Sequence, residues 1–294
     1  MHLASLRVSG EEVLAVVAGD RWLAATDALP GGPGTMVDLI AGGPSAVAAL
    51  QMAASTSVII ERGRALRDAE LLAPVPRPGK VVAIGRNYRE HATEEGVEPP
   101  AAPLIFAKWP TAVVGTGAEI RWDPALTGQV DYEAELGVVI GRRARRIDPA
   151  EALAHVFGYT CLNDVSARDL QFGDGQWVRG KSLDTFCPMG PVLVTAAEIP
   201  DPQDLGISCR VGDEVVQESR TSRMYFSVAE IISYLSRSFT LEAGDVIATG
   251  TPGGVGVFRD PPRFLGEGDR VTVEIERIGR LENTCRYARV GSVA

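Results

Sequence analysis

Residues 131–140, Asp131-Tyr132-Glu133-Ala134-Glu135-Leu136-Gly137-Val138-Val139-Ile140, place two carboxylates two positions apart in a segment that otherwise reads as a buried β-strand. Side chains alternate along a strand, so Glu133 and Glu135 share one face while Ala134, Leu136, Val138 and Ile140 line the other. Burying two like charges costs several kcal/mol of solvation per ion, and the pair also repels. A metal ion is the simplest neutraliser. The ordinary alternative is a Glu-x-Glu pair on an exposed strand face.

A second segment, Asn163-Asp164-Val165-Ser166-Ala167-Arg168-Asp169-Leu170-Gln171, again packs ionisable residues behind an apolar run, Val156 to Leu162. Asp164 could supply a third oxygen ligand, and hard divalent cations favour carboxylate and water oxygens. The competing reading makes Asp164 a helix N-cap, with Arg168 pairing Asp164 or Asp169. Of three histidines, His2 lies at the chain start and His155 in an Ala/Leu/Phe-rich helical pattern. His91 instead stands three residues before Glu94, so one helical turn would make imidazole and carboxylate neighbours. Such a carboxylate orients the ring and raises its basicity, as a general base for water requires. An ordinary surface contact would give the same spacing. Lys181 before Ser182-Leu183-Asp184 reads either as a solvated lysine or as a cation near the acidic face. Gly250-Thr251-Pro252-Gly253-Gly254 lacks the Gly-Lys-Ser/Thr ending of a nucleotide loop, which excludes that reading.

Taken together, several blocks resemble the fumarylacetoacetate hydrolase family in the right order. These are Gly85-Arg86-Asn87-Tyr88 with His91 and Glu94, the Glu133/Glu135 strand, Asn163 to Gln171, Lys181 to Phe186, and Thr249 to Gly256; the similarity covers roughly residues 73 to 294. The resemblance implies a Mg²⁺ or Mn²⁺ ion, replaceable by Ca²⁺ in a crystal, on Glu133, Glu135 and Asp164. It also implies catalytic roles for His91, Glu94 and Lys181. Substrate contacts are implied for Arg86, Tyr88, Arg168, Gln171, Gly250 and Thr251, with scaffolding of the Asp164 turn as the alternative for Arg168 and Gln171. The implied substrate is a small 2-oxo acid of the acylpyruvate type, cleaved at a C–C bond through a stabilised enolate. Isomerisation of 2-hydroxyhepta-2,4-diene-1,7-dioate-like compounds and decarboxylation of oxaloacetate would use the same parts, and a metal-dependent binding module is the non-enzymatic alternative. A homodimer is expected from the family alone. One departure concerns fumarylacetoacetase itself, which carries acidic residues where this chain has Ile84 and a Gly/Val run. The bacterial isomerase and acylpyruvate hydrolase branch is the better match.

Composition bounds the rest. A length of 294 residues with 45% apolar content suffices for a large domain plus a small one. A net charge of −9 argues against a phosphate-backbone partner. The four scattered cysteines suggest neither zinc nor a disulfide framework. No charged stretch plus apolar run opens the chain and no window is expected to approach a membrane span, so a cytoplasmic location is expected. Strands are expected at Leu3 to Val8 and Val13 to Val17, with a helix around Ser45 to Met52. Pro74-Val75-Pro76-Arg77-Pro78 forces an extended connector. The expected units are therefore a small N-terminal α/β domain over 1–72 and a catalytic domain over 73–294. Beyond the connector, β-branched runs dominate, with helices expected at Pro149 to Phe157, capped by Asp148, and at Val228 to Ser236. The fold class is α+β, β-rich, and the family's fold is a mixed β-sandwich roll. Residues 88 to 102, charged and broken by Gly96 and Pro99-Pro100, read as a lid that brings His91 over the metal.

Overall fold

The computed structural model describes residues 1–288 and is a β-rich α+β structure. The Ala134–Ile140 strand lies inside a twelve-stranded sheet, between Val156–Asn163 and Val246–Ala248, and every one of its residues is buried. Its parity separates two cores, as strand alternation requires. Ala134, Leu136, Val138 and Ile140 face a cluster shared with Ile207, Val271, Val273 and Ile275 of a second, five-stranded sheet. Val139 faces a cluster shared with Leu39, Ile40 and Leu50 of an N-terminal helix. The helix Val228–Ser238 closes the first core with Val228, Ile231, Ile232 and Leu235, and a Ser227/Glu230 capping box fixes its start.

The N-terminal strands do not form a sheet of their own. His2–Val8 pairs antiparallel with Cys187–Thr195, so Glu11–Ala18 and Arg21–Ala24 extend the main sheet outward. The proline-rich connector is tied back to the first strand, where Ser5 Oγ donates to the Pro74 carbonyl at 2.8 Å.

Three expectations need correction. The helix expected over 149–157 stops early: Pro149–Ala152 and a single 3₁₀ turn, Leu153–His155, give way to the strand Val156–Asn163. Val156 onward is claimed by pairing with Ile140 and, further along, with Cys187–Thr195, which outweighs local helical spacing. Asp148 occupies the N-cap position without a side-chain cap bond. Finally, the helix Met36–Ala53, at 18 residues and mean hydropathy 1.3, is long and apolar enough by length and composition to cross a membrane. Gly43 interrupts it with φ 63° and ψ −161°, and Pro44 begins the second half without an N–H. The break leaves two short helices, of which Leu39, Ile40 and Leu50 pack against the sheet.

Candidate active site

Two adjacent strand ends build the acidic cluster. Ala134 pairs with Asn163 across the antiparallel ladder, which sets Glu133 beside Asp164. The Asp164 N–H donates to the Glu133 carbonyl at 2.9 Å, and the Glu133 N–H donates to Asn163 Oδ1 at 3.0 Å. Carboxylate oxygens of Glu133, Glu135 and Asp164 then lie within 4.8 Å of one another, all buried. Asp164 is not a helix cap. The following helix, Arg168–Asp174, begins after Ala167, and Asp164 pairs with lysines rather than with Arg168.

Among the described residues, four buried carboxylates and three buried cations make up the network. Lys181 Nζ donates to Glu133 Oε2 at 2.7 Å and to Asp164 Oδ2 at 2.9 Å. Lys108 Nζ donates to Asp164 Oδ1, to the Val165 carbonyl at 3.2 Å and to the Lys181 carbonyl. Arg168 joins Glu133 Oε1 at 2.7 Å and Asp131 Oδ2 at 2.8 Å, and also donates to Gln171 Oε1 at 3.0 Å. Glu135 has no cationic partner among the described residues; its Oε2 accepts the Gly250 N–H at 2.8 Å. Burial, reinforced by the charges of Asp164 and Glu133, pushes the Glu135 carboxyl well above the usual range. Burial would also raise Glu133, but Lys181 and Arg168 overcome it and hold that carboxyl low. An all-oxygen set with one uncompensated carboxylate fits a hard divalent cation.

A carboxyl whose folded pKa is raised binds its proton more tightly in the folded state, so its contribution to stability falls as pH rises from the unfolded value toward the folded one. With chelator present, wild type is expected to lose melting temperature relative to Glu135→Gln as pH rises above 4.5, the ordinary value for glutamate. Parallel pH profiles for the two proteins would show that Glu135 carries no such penalty.

A loop over Thr249 to Gly256 covers the cluster. Asp131 fixes its far end, accepting the N–H groups of Gly256 at 2.7 Å and Val257 at 3.0 Å. Gln217 fixes the middle, donating to Thr251 Oγ1 at 2.8 Å and the Pro252 carbonyl at 2.9 Å while accepting the Ala134 N–H. Asn87 donates to the Thr249 and Phe226 carbonyls, which holds the Arg86–Tyr88 turn against the loop. Gly250 has φ 98°, and a Cβ there would stand 2.7 Å from the Asn87 Cβ. Gly250→Ala is therefore expected to destabilise the protein by about 1–3 kcal/mol through overpacking in a backbone region L-residues avoid, measured by denaturant unfolding.

The helix Arg89–Glu95 carries the histidine. His91 Nδ1 meets Glu94 Oε1 at 2.7 Å, and Glu94 Oε2 accepts the Gly254 N–H at 2.7 Å, so the carboxylate spans imidazole and loop. His91 is already buried, its ring 6.1 Å from that of Phe258. A cleft holding about 390 Å³ of empty space, the part open to solvent included, is lined by His91, Glu133, Lys181, Arg168, Gln171, Thr251 and Arg86 among others. Tyr88 and Gly250 are not among its lining residues. The Tyr88 hydroxyl is fully buried with no hydrogen-bond partner among the described residues, and burial together with the Glu135 charge holds its pKa well above the phenol value. Arg168 Nη2 is likewise buried without a partner among the described residues while its side chain lines the cleft.

Lys108, Asp131, Asn87 and Gln217 have no role in the sequence reading. Asp131 carries a signal in its parity with Glu133 and Glu135, and Asn87 in the block that resembles the family. Lys108 and Gln217 reach the site from distant segments through tertiary contacts that spacing does not encode.

A family model described as fumarylacetoacetate (FAA) hydrolase C-terminal matches residues 80–286. The mitochondrial oxaloacetate tautomerase FAHD2A of Bos taurus is 46% identical over 254 residues, spanning 85% of this chain and 79% of that protein. The oxaloacetate tautomerase YisK of Bacillus subtilis is 46% identical over 259 residues, spanning 85% of this chain and 86% of that protein. A solved fumarylacetoacetate hydrolase from psychrophilic Exiguobacterium antarcticum superposes with a TM-score of 0.85 at 38% identity, covering 98% of this chain and all of the other.

Proposed function

The chain belongs to the fumarylacetoacetate hydrolase family, and from that premise we propose that it is a divalent-metal-dependent tautomerase of oxaloacetate-like 2-oxo acids. The observation that carries the reading is the convergence on one cleft of Glu133, Lys181 and the Glu94-held His91, in a chain whose relatives are named oxaloacetate tautomerases. Mg²⁺ or Mn²⁺ held by Glu133, Glu135 and Asp164 would supply a Lewis acid for the 1-carboxylate and 2-oxo oxygens.

The chain's own residues do the rest. Glu94 holds His91 Nδ1, which leaves Nε2 to take a proton from the carbon next to the carbonyl. The electron pair left behind forms the C2–C3 double bond, the oxygen of the former carbonyl gains a proton, and the reverse steps return the keto acid. Lys181 supplies a fixed positive charge where the oxyanion develops. Its own charge is secured: burial works against the ammonium, but Asp164 and Glu133 raise its pKa overall. Arg168 and Gln171 line the same cleft for substrate oxygens.

Hydrolysis of acylpyruvates is the second reading, favoured by the hydrolase name of the Exiguobacterium structure. His91 and Glu94 would then activate a water. One assay separates the readings: enol-oxaloacetate and a set of acylpyruvates are each incubated with protein and Mg²⁺ or Mn²⁺, following enol absorbance and pyruvate release. Accelerated loss of enol absorbance without pyruvate establishes the tautomerase. Pyruvate from acylpyruvates, with enol decay at the uncatalysed rate, establishes the hydrolase instead, and pyruvate from oxaloacetate a decarboxylase. Light scattering tests the expected homodimer.

A further inference from the structure

Asp131 is buried and takes no part in the proton transfer, yet four donors among the described residues converge on its carboxylate. Oδ1 accepts the N–H groups of Tyr132 at 2.8 Å and Gly256 at 2.7 Å, and Oδ2 accepts the Val257 N–H at 3.0 Å and Arg168 Nε at 2.8 Å. Its backbone is fixed by pairing with Ser166 in a short antiparallel ladder, two residues before Glu133. The next residue grips the same loop: Tyr132 Oη donates to the Gly254 carbonyl at 3.2 Å. Between these grips the loop has little freedom, because a Cβ at Gly254 would collide with the Val216 carbonyl and one at Gly256 with the Arg263 carbonyl. Two supports of His91 hang on this loop. The Gly254 N–H binds Glu94, whose other carboxylate oxygen meets the imidazole, and Phe258, the residue after Val257, lines the cleft with its ring 6.1 Å from that of His91. On the other side of Asp131, Arg168 continues to Glu133 Oε1 at 2.7 Å.

We propose that Asp131 is a positioning residue that registers the His91–Glu94 pair against Glu133 and Arg168 through the loop from Gly254 to Phe258. The inference rests on the tautomerase reading for its kinetic consequence alone. Four donors meeting two oxygens require a group that only accepts, which an ionised carboxylate is and an amide is not. Asparagine at this position would turn its NH₂ toward one pair of donors, losing two hydrogen bonds and setting donor against donor. The loop end would then shift, and with it the Gly254 amide that holds Glu94. A misplacement of about 1 Å at such a distance from the chemistry costs on the order of 100-fold in rate. Asp131 thus acts on the reaction through Glu94 and His91, without touching substrate.

Asp131→Asn and Tyr132→Phe are compared with wild type in excess Mg²⁺, beside a control, Thr35→Ala, which removes the cap of a helix that lines no part of the cleft. NMR shifts of the histidine ring nitrogens at about pH 9, where imidazoles are neutral, read the tautomer of His91, its signal identified by its loss in His91→Ala. Wild type is expected to carry the ring proton on Nδ1, facing Glu94. Asp131→Asn is expected to show mixed Nδ1 and Nε2 tautomers and a kcat on enol-oxaloacetate lower by about 10–100-fold, with Mg²⁺ affinity nearly unaltered. Tyr132→Phe, which removes one hydrogen bond to the loop, is expected to move both readouts the same way, with kcat down about 3–10-fold. Thr35→Ala should lower the melting temperature and leave tautomer and kcat at wild-type values, so loss of stability by itself does not mimic the effect. A wild-type tautomer and kcat in Asp131→Asn overturn the proposal; should that variant not fold, the same result in Tyr132→Phe overturns it. Absence of tautomerase activity in wild type removes the reading of the reaction, and the His91 tautomer then decides the positioning role independently.

Discussion

Glu135→Gln is expected to weaken Mn²⁺ and Mg²⁺ binding at least about 100-fold, since even partners one layer outside a metal's ligands are worth 10–100-fold in affinity. Glu135 is the informative member of the acidic cluster because it alone lacks a cationic partner among the described residues. In Glu133→Gln or Asp164→Asn, Lys181 loses a charged partner and Arg168 or Lys108 loses one too, so a fall in affinity mixes ligand loss with a broken buried network. Glu135→Gln leaves those pairs intact. Its amide also removes a buried charge that costs solvation, so the metal-free variant is expected to melt no lower than wild type. Titration calorimetry of metal with wild type and variant, alongside their melting curves in chelator, checks both halves. Unchanged metal affinity would mean that the ligand set has been drawn wrongly.

The second large effect belongs to His91. His91→Ala is expected to lower tautomerisation by about 10²–10⁴-fold, the usual worth of a positioned general base, with metal affinity nearly unaltered. Glu94→Gln should cost less, because an amide oxygen can still accept from Nδ1 although the charge that raises ring basicity is gone. Steady-state rates on enol-oxaloacetate combined with metal titrations separate the two. An activity loss in His91→Ala that tracks a loss of bound metal would show that the histidine props the site rather than moving a proton.

How far the sequence discloses this site depends on whether the information is local. Period-two alternation around Glu133 and Glu135 marks a strand with an acidic face, and Ala134–Ile140 is that strand. The three-residue spacing of His91 and Glu94 marks a helical neighbour pair, and the Arg89–Glu95 helix brings their side chains to 2.7 Å. Asp164 is different. Read by itself it suits a helix cap, and only the resemblance to the family, or the Ala134–Asn163 pairing, puts it beside Glu133. Lys108 ends an apolar run, Leu104–Lys108, and nothing in that run tells a buried lysine from a snorkelling one. Its partner, Asp164, lies 56 residues away.

The same distinction accounts for the errors in secondary structure. Ala152 to Phe157 has helical apolar spacing, but Val156 and Phe157 also open a β-branched and aromatic run, and cross-strand partners decide such conflicts. The Met36–Ala53 helix shows the converse. Its length and hydropathy reach those of a spanning segment, while the Gly43-Pro44 step, visible in the sequence, divides it into two pieces that lie on the sheet. The N-terminal strands read correctly as strands, yet their union with Cys187–Thr195 is a contact across the length of the chain that no local pattern announces.

Whether Glu133, Glu135 and Asp164 share one divalent cation is decided by anomalous diffraction from crystals soaked in Mn²⁺. A single anomalous peak between the three carboxylates, absent in Glu135→Gln crystals, is the expected result. Data from fully soaked crystals with no peak there, or with the manganese bound elsewhere in the chain, would contradict it.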